Sequence, residues 1–455
     1  MTAPAETAEE ILARVAPAVL AAADQPAHTG HLPAEFWNAR PILGRIRQFA
    51  HARGVSGDVL LYSFLARLSG MLPHHIQAVS GIGGRASLNL FVAAVGGSGV
   101  GKSTGSKVNR DLLAASDPEF RDGLPIGSGE GIAEAFMGTI DEETGEVRKG
   151  RDGTETPVTR KVRKQVRHNA FFYVDEGQLL AKLGERTGST LGETLRRAAI
   201  GETLGQTNAS EERTRYVEGG TYSLGLLVGF QPSTAMPVLD DAATGTPQRF
   251  LWCWAADPSI PDEQPADPGA LDGLACLQQP GGPVDVTFPD SIRTMLWRQH
   301  VAKNRGELVV AELDAHAGLI KVKASALLAL LDGRYEVTED DWHLAETMWA
   351  ASCAVRDHLL ARAKREAAAA RQAAEDAHVQ AEVKAHEAKS RADSKLARVA
   401  QRVRTLATRV GGISHGELRR TIAYRDRDVL EAAVDLAVSR GWVFEEDDRV
   451  CAAVE

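Results

Sequence analysis

The chain has 455 residues, 44% of them hydrophobic and 25% charged, enough for two or three domains with at least one sizeable core. Its formal net charge of −9 argues against a generally basic nucleic-acid-binding surface, and Cys253, Cys276, Cys353 and Cys451 form no C-x-x-C pair, so neither a zinc site nor a disulfide framework is expected. The opening MTAPAETAEEILARV is acidic and helical in pattern, unlike a basic leader, and no apolar run approaches the roughly 20 residues of a membrane span, so the cytoplasm is the expected compartment and no membrane partner is expected.

Residues 1–80 read as a helical N-terminal region. Apolar residues recur at helical spacing in Ile42, Ile46, Phe49 and Ala50, and again in Val59, Leu60, Phe64, Leu65 and Leu68, with Pro33 and Pro41 as punctuation. His74 and His75 are adjacent and would point in different directions on a regular element. They read as ordinary histidines, not metal ligands.

A phosphate-binding core is expected over residues 81–260. The strand-like run FVAAV (91–95) leads into Gly96, Gly97, Ser98, Gly99, Val100, Gly101, Lys102, Ser103 and Thr104, which fit G-x-x-x-x-G-K-[ST]. Glycines let successive backbone N–H groups curl around a phosphate where a Cβ would clash, and the helix expected over 103–113 turns its positive end to the same phosphates. Lys102 would reach the β- and γ-phosphates, and the Ser103 hydroxyl would ligate Mg²⁺. ATP or GTP is the expected ligand.

LPIGSGEGIAEAF (124–136) is a glycine-rich turn entering a helix. Residues 138–168 form a polar insertion with hairpin turn signals at Thr144-Gly145 and Asp152-Gly153. The insertion and its edge carry Arg148, Lys149, Arg151, Arg160, Lys161, Arg163, Lys164 and Arg167, either a solvated face or a local nucleic-acid footprint. In HNAFFYVDEGQLL (168–180) an apolar strand ends in Asp175 and Glu176. Asp175 would hold the Mg²⁺ shell opposite Ser103, and Glu176 would polarise an attacking water.

STLGETLRRAAI (189–200) reads as a helix with Arg196 and Arg197. Residues 202–217 break at Thr207-Asn208-Ala209-Ser210 as a hairpin, the candidate DNA-contacting element with Arg213 and Arg215. The buried strand YSLGLLVGF (222–230) delivers Gln231 at its carboxyl end, where ligand chemistry gathers in parallel sheets, as a candidate sensor of the γ-phosphate. Arg249 precedes a further strand over 250–255 and, like Arg197, is a candidate for stabilising the transferring phosphoryl group in cis or from a neighbouring subunit.

A Pro/Gly/Asp-rich stretch (257–283) is loop, and 261–355 reads as a helical lid. There Thr338, ahead of Glu339, Asp340 and Asp341, marks a helix start. The alanine-rich, charged stretch 356–410 is one long helix, a solvated spacer rather than a strong coiled coil. After Gly411-Gly412, residues 413–422 and 427–441 read as two helices followed by a hairpin, a winged-helix arrangement over 411–455. Arg419, Arg420, Arg425 and Arg427 favour DNA, whereas the acidic wing at 445–448 opposes deep phosphate contact. DNA or protein is left open as its target.

RASLNLFVAAVGGSGVGKST, IGSGEGI, VDEGQLL, GETLGQTNA, LGLLVGFQP and GTPQRFLW together resemble the helicase-like P-loop ATPases encoded by actinobacterial phages, plasmids and integrative elements. EVTEDDWHLA with the terminal region resembles the lid and last domain of replicative helicases. The resemblance implies an α/β P-loop core of AAA+ or RecA-like type, a homo-oligomer on the pattern of hexameric motors, ATP shared between subunits, and an arginine from the neighbour. It leaves two acids competing for the water. Glu176 matches the AAA+ pattern, and Glu130 stands where RecA-like motors place theirs. The expected function is a DNA-dependent ATPase, a ring-forming helicase acting on single-stranded or forked DNA in replication of a mobile element, with a separate primase or replication initiator. A helicase loader or partition-type switch, and a signalling or defence ATPase whose winged helix binds protein, are the alternatives.

Overall fold

Residues 90–95 and 223–230 are buried without exception. That is the pattern of strands covered on both faces, as in a parallel sheet. The computed structural model describes residues 30–149, 155–184, 188–206, 214–241, 245–278 and 281–453. The chain is mixed α/β and divides into two compact units at Ala363/Lys364.

In the first unit, helices α1 (Ala34–Asn38), α2 (Pro41–His51) and α3 (Gly57–Met71) precede strands β1 (Ile76–Val79) and β2 (Leu90–Val95). Helix α4 (Lys102–Leu112), strand β3 (Arg121–Leu124), helix α5 (Gly129–Glu134) and the ribbon of β4 (Met137–Lys149) and β5 (Glu155–Gln165) follow. Next come β6 (Asn169–Val174), α6 (Gly177–Gly184), α7 (Leu191–Ile200) and the short ribbon of β7 (Leu204–Gln206) and β8 (Arg215–Val217). Strand β9 (Ser223–Phe230), helix α8 (Met236–Asp240), strands β10 (Phe250–Trp254) and β11 (Val284–Thr287), and helices α9 (Asp290–Asn304) and α10 (Ala317–Leu331) lead to α11 (Glu339–Val410).

The central sheet has five strands in the order β10-β2-β9-β6-β3, every neighbour parallel. Alternation along the strands sorts their side chains onto two cores. Val92, Ala94, Leu227, Leu251 and Cys253 face α2, α3, α4 and α10. Phe91, Ala93, Val95, Val174, Val228 and Trp252 face α5, α6 and α7.

Helix α3 is buried from Gly57 to Gly70 and starts on a Ser56 cap. It lies directly on the sheet backbone: a Cβ on Gly70 would stand 2.4 Å from the Ala170 carbonyl oxygen, and one on Gly225 would stand 1.8 Å from that of Ala66. The buried Arg67 leaves this helix to pair with Asp122 on β3 at 3.1 Å and to donate to the Leu113 carbonyl at 2.7 Å. One side chain thus ties α3, the end of α4 and the edge strand together.

Two departures from the sequence expectations are instructive. Residues 76–79, inside the region expected to be helical, form β1, which pairs in parallel with β11 from the stretch expected as a helical lid. Two four-residue strands so far apart in sequence leave no periodic trace. The lid and spacer helices are also continuous: α11 runs unbroken for 72 residues. Its start is fixed by Asp341, fully buried, which accepts from Thr338 and Arg334 and pairs with Arg40 at 2.6 Å.

The second unit packs the last turns of α11 against helices α12 (His415–Thr421) and α13 (Leu430–Ser439) and a three-stranded sheet. Strands β12 (Ile413–Ser414), β13 (Val443–Glu446) and β14 (Arg449–Ala452) pair antiparallel in the order β12-β14-β13. Residues 413–414, expected to open a helix, are instead a strand, and Ser414 with Glu417 forms a capping box that starts α12. Among the described residues no helix is long and apolar enough to cross a membrane.

The backbone contact of α3 with the sheet makes a direct test. Gly225→Ala should lower unfolding stability by about 3 kcal/mol, as expected of overpacking against backbone. Gly127→Ala, where an added Cβ meets nothing within 4 Å, should change it little. Urea denaturation of the two variants checks both.

Candidate functional site

Strand β2 ends in the loop that carries the phosphate-binding pattern, and its backbone explains the glycines. Gly99 and Gly101 have φ of 81° and 85°, in the left-handed region that side chains resist. A Cβ on Gly96 would come within 2.5 Å of Val100 and 2.8 Å of Ala255. Helix α4 then starts at Lys102, leaving its first N–H groups directed at the loop's mouth. Lys102 Nζ donates to the carbonyls of Gly96 and Gly97 at 2.7 and 2.6 Å. Burial pulls its pKa down while Asp175 pulls it back up.

Strand β9 stands between β2 and β6, so the carboxyl ends of all three meet. They enclose a cavity of about 230 Å³, lined by loop residues 98–104 and by Asp175, Glu176, Gln178, Gly229, Gln231 and Thr234. Gly229 is the hinge of this convergence: a Cβ there would stand 2.6 Å from the Asp175 carbonyl and 3.7 Å from Lys102 Cδ. Gly177 is equally constrained, because a Cβ would enter the Phe230 ring at 2.0 Å. The chain after Glu176 can therefore pass flat over that ring.

Asp175 and Glu176 are both exposed to the cavity. The Tyr173 hydroxyl donates to Asp175 Oδ1 at 2.6 Å. Burial, and then the Asp175 carboxylate, push the phenol well above its ordinary range, with Ser103 acting the other way. Gln231 is seated by Thr234, whose hydroxyl accepts from the Gln231 N–H at 3.0 Å and donates to its carbonyl at 3.1 Å. Tyr173, Gln178 and Thr234 were not singled out in sequence. For Tyr173 the available signal is its place two residues before Asp175 on a strand, hence on the same face.

Other candidates lie elsewhere. Glu130 opens α5, where Ser128 caps the helix, and it accepts from the Thr190 hydroxyl at 2.9 Å. A backbone N–H and these hydroxyls hold its carboxyl below the usual range, and it does not line the cavity. Arg197 is exposed and pairs along its own helix with Glu193 at 2.7 Å. The Arg249 guanidinium donates to the Gly245 carbonyl, and its Nε is buried with no hydrogen-bond partner among the described residues. Burial and the neighbouring Arg196 lower its pKa. Neither arginine lines the cavity.

The basic stretch over 148–167 is partly compensated where its strands are described. Strand β4 sets Asp141 opposite Lys161 and Glu142 opposite Arg160, and Glu142 also pairs with Lys164 at 3.4 Å. Arg163 and Arg215 share Glu134, the latter at 2.8 Å. Arg215 is thus engaged inside the fold, while Arg151 and Arg213 lie outside the described residues.

In the second unit Arg419, Arg420 and Arg425 are exposed. Arg427 donates to the Ile422 carbonyl and lies 5.7 Å from the ring of Tyr424, itself 86% exposed. The outward residues of α13 include Glu431 and Asp435 and no cation, and the β13–β14 turn carries Asp447 and Asp448 at positive φ after Glu445 and Glu446. A scan against protein-family models finds no match to this chain, and a search of curated proteins finds none.

Proposed function

We propose that the chain is a Mg²⁺-dependent ATPase with an α/β P-loop core of AAA+ or RecA-like type, acting on DNA as a ring-forming helicase. The observation that carries the reading is the convergence of Lys102, Ser103, Asp175, Glu176 and Gln231 on one cavity at the ends of three adjacent strands. The donor set suits the ligand. Glycines at positive φ and the first N–H groups of α4 suit a polyphosphate, and a hydroxyl with a carboxylate are the hard oxygen donors Mg²⁺ prefers. Among the described residues no cluster of three or more His, Cys, Asp or Glu is gathered to hold a metal by itself. Mg²⁺ would then be shared with phosphate oxygens and water, as is its habit.

In this reading the loop N–H groups and Lys102 bind the phosphates. For that, the lysine exchanges the Gly96 and Gly97 carbonyls for phosphate oxygens. Ser103 and Asp175 hold Mg²⁺, which supplies charge neutralisation on the phosphates. Glu176 orients the attacking water, and Gln231 senses the γ-phosphate. Sequence alone leaves Glu130 and Glu176 competing; the bonds Glu130 makes to Thr190 and its helix N-terminus favour Glu176. Of the two arginines, Arg197 is the better candidate to act on a neighbour's nucleotide, since it is exposed with only a surface pair to Glu193, whereas Arg249 is half-buried. The ring would be a homo-oligomer, taken as a hexamer from the resemblance.

The second unit carries the helix, helix and hairpin order of a winged helix. Its α13 face and wing are acidic, so DNA would be met through the exposed Arg419, Arg420 and Arg425. That acidity also favours a second reading, in which the winged helix grips a basic protein surface and the ATPase is a switch.

Lys102→Ala should abolish ATP hydrolysis without lowering the melting temperature, measured by phosphate release and calorimetry. Glu176→Gln should cut turnover by about 100-fold or more while nucleotide still binds, and Glu130→Gln should cost only a few-fold. Single-stranded DNA should stimulate hydrolysis, and a nonhydrolysable nucleotide should drive assembly on a sizing column. Hydrolysis indifferent to DNA from a protein that stays monomeric would overturn the motor reading.

A further inference from the structure

Tyr173 has a chemistry that its core position alone does not require. Its ring packs against the cluster that includes Val108 and Leu112 of α4, the helix that carries Ser103. Phenylalanine would fill that space as well. The hydroxyl, however, leaves the core and donates to Asp175 Oδ1 at 2.6 Å, the short distance of a charge-assisted bond. Ser103 is close enough to influence the same hydroxyl. One phenol, as the donor of that bond, therefore reaches the carboxylate assigned to the cation.

We propose that Tyr173 is the positioning residue of the cation site: its hydroxyl holds one oxygen of Asp175, fixing the carboxylate in a single orientation beside Ser103. This rests on the ATPase reading. A carboxylate at the end of a strand, exposed to an open cavity, otherwise turns freely about its last bonds, and ordering it on binding costs side-chain entropy. A donor already in place removes that cost before the cation arrives. The same logic makes hydrogen-bond partners of metal ligands matter at the level of 10- to 100-fold in affinity.

The test uses the whole protein and a fluorescent methylanthraniloyl-ADP, titrated with MgCl₂ from an EDTA-treated start. The readout is the Mg²⁺ concentration at half-maximal change in nucleotide binding. Tyr173→Phe should raise that midpoint by about tenfold or more, with nucleotide affinity in EDTA and the melting temperature unchanged. Asp175→Asn should move the midpoint in the same direction, and Tyr173→Phe added to it should move it little further. A Tyr173→Phe midpoint that is unmoved or lower overturns the proposal, as does a shift that simply adds to that of Asp175→Asn. Native protein that binds no nucleotide at any Mg²⁺ concentration overturns the ATPase reading itself, a result distinct from either.

Discussion

The first unit depends on how closely β9 lets its neighbours approach. Gly225 and Gly229 lie four residues apart on the same face of this central strand. At Gly225 the missing side chain admits the backbone of α3, and at Gly229 it admits the chain at Asp175 beside the Lys102 stem. The two contacts have different consequences. The first seats a buried helix on the sheet, so that Arg67 can reach β3 and the end of α4. The second sets the separation between the phosphate-type loop and the acids. A single methyl group at either point would press on backbone, which cannot rotate away.

Two charges of the cavity have partners within the protein. Lys102 is held by two loop carbonyls, and Asp175 by Tyr173. Leaving a charge unpaired in a half-buried place is costly, so these bonds stabilise the site as it stands. They also set terms for any ligand. An incoming anion must offer the ammonium more than two neutral carbonyls do, and a polyphosphate does so because its oxygens are charged. The acids behave differently: Tyr173 occupies one lone pair of Asp175 and leaves the rest of the carboxylate exposed. In the proposed reading the acid side is prepared in advance, whereas the lysine side must rearrange.

Legibility in the sequence followed the range of the interaction. That the loop, the Asp-Glu pair and Gln231 would stand at strand ends was readable because each is a local event: an apolar run ends and polar residues follow. The burial of β2 and β9 was readable for the same reason, through unbroken apolar runs. What escaped was non-local. The pairing of β1 with β11 joins short strands separated by the whole central sheet. The basic look of 148–167 concealed its acids, because Asp141 and Glu142 come opposite Lys161 and Arg160 only when the two strands are set in register. The sequence favours Glu176 without excluding Glu130; the further difference is the Thr190 hydroxyl, sixty residues from Glu130, that donates to it.

The same lesson bears on the second unit, where the count of arginines and their placement point in different directions. Four arginines near α12 suggest a nucleic-acid surface if only the sequence is tallied. Arg427 is in fact spent on the Ile422 carbonyl and the Tyr424 ring, leaving Arg419, Arg420 and Arg425 as the outward charges. The helix and turn that would enter a groove instead present Glu431, Asp435 and the acidic β13–β14 turn, which repel phosphate at short range. Deep, sequence-reading contact through those elements is electrostatically disfavoured. Under the proposed DNA reading, the contact left to this unit is a shallow one to the backbone through the arginine side, where Tyr424 is 86% exposed.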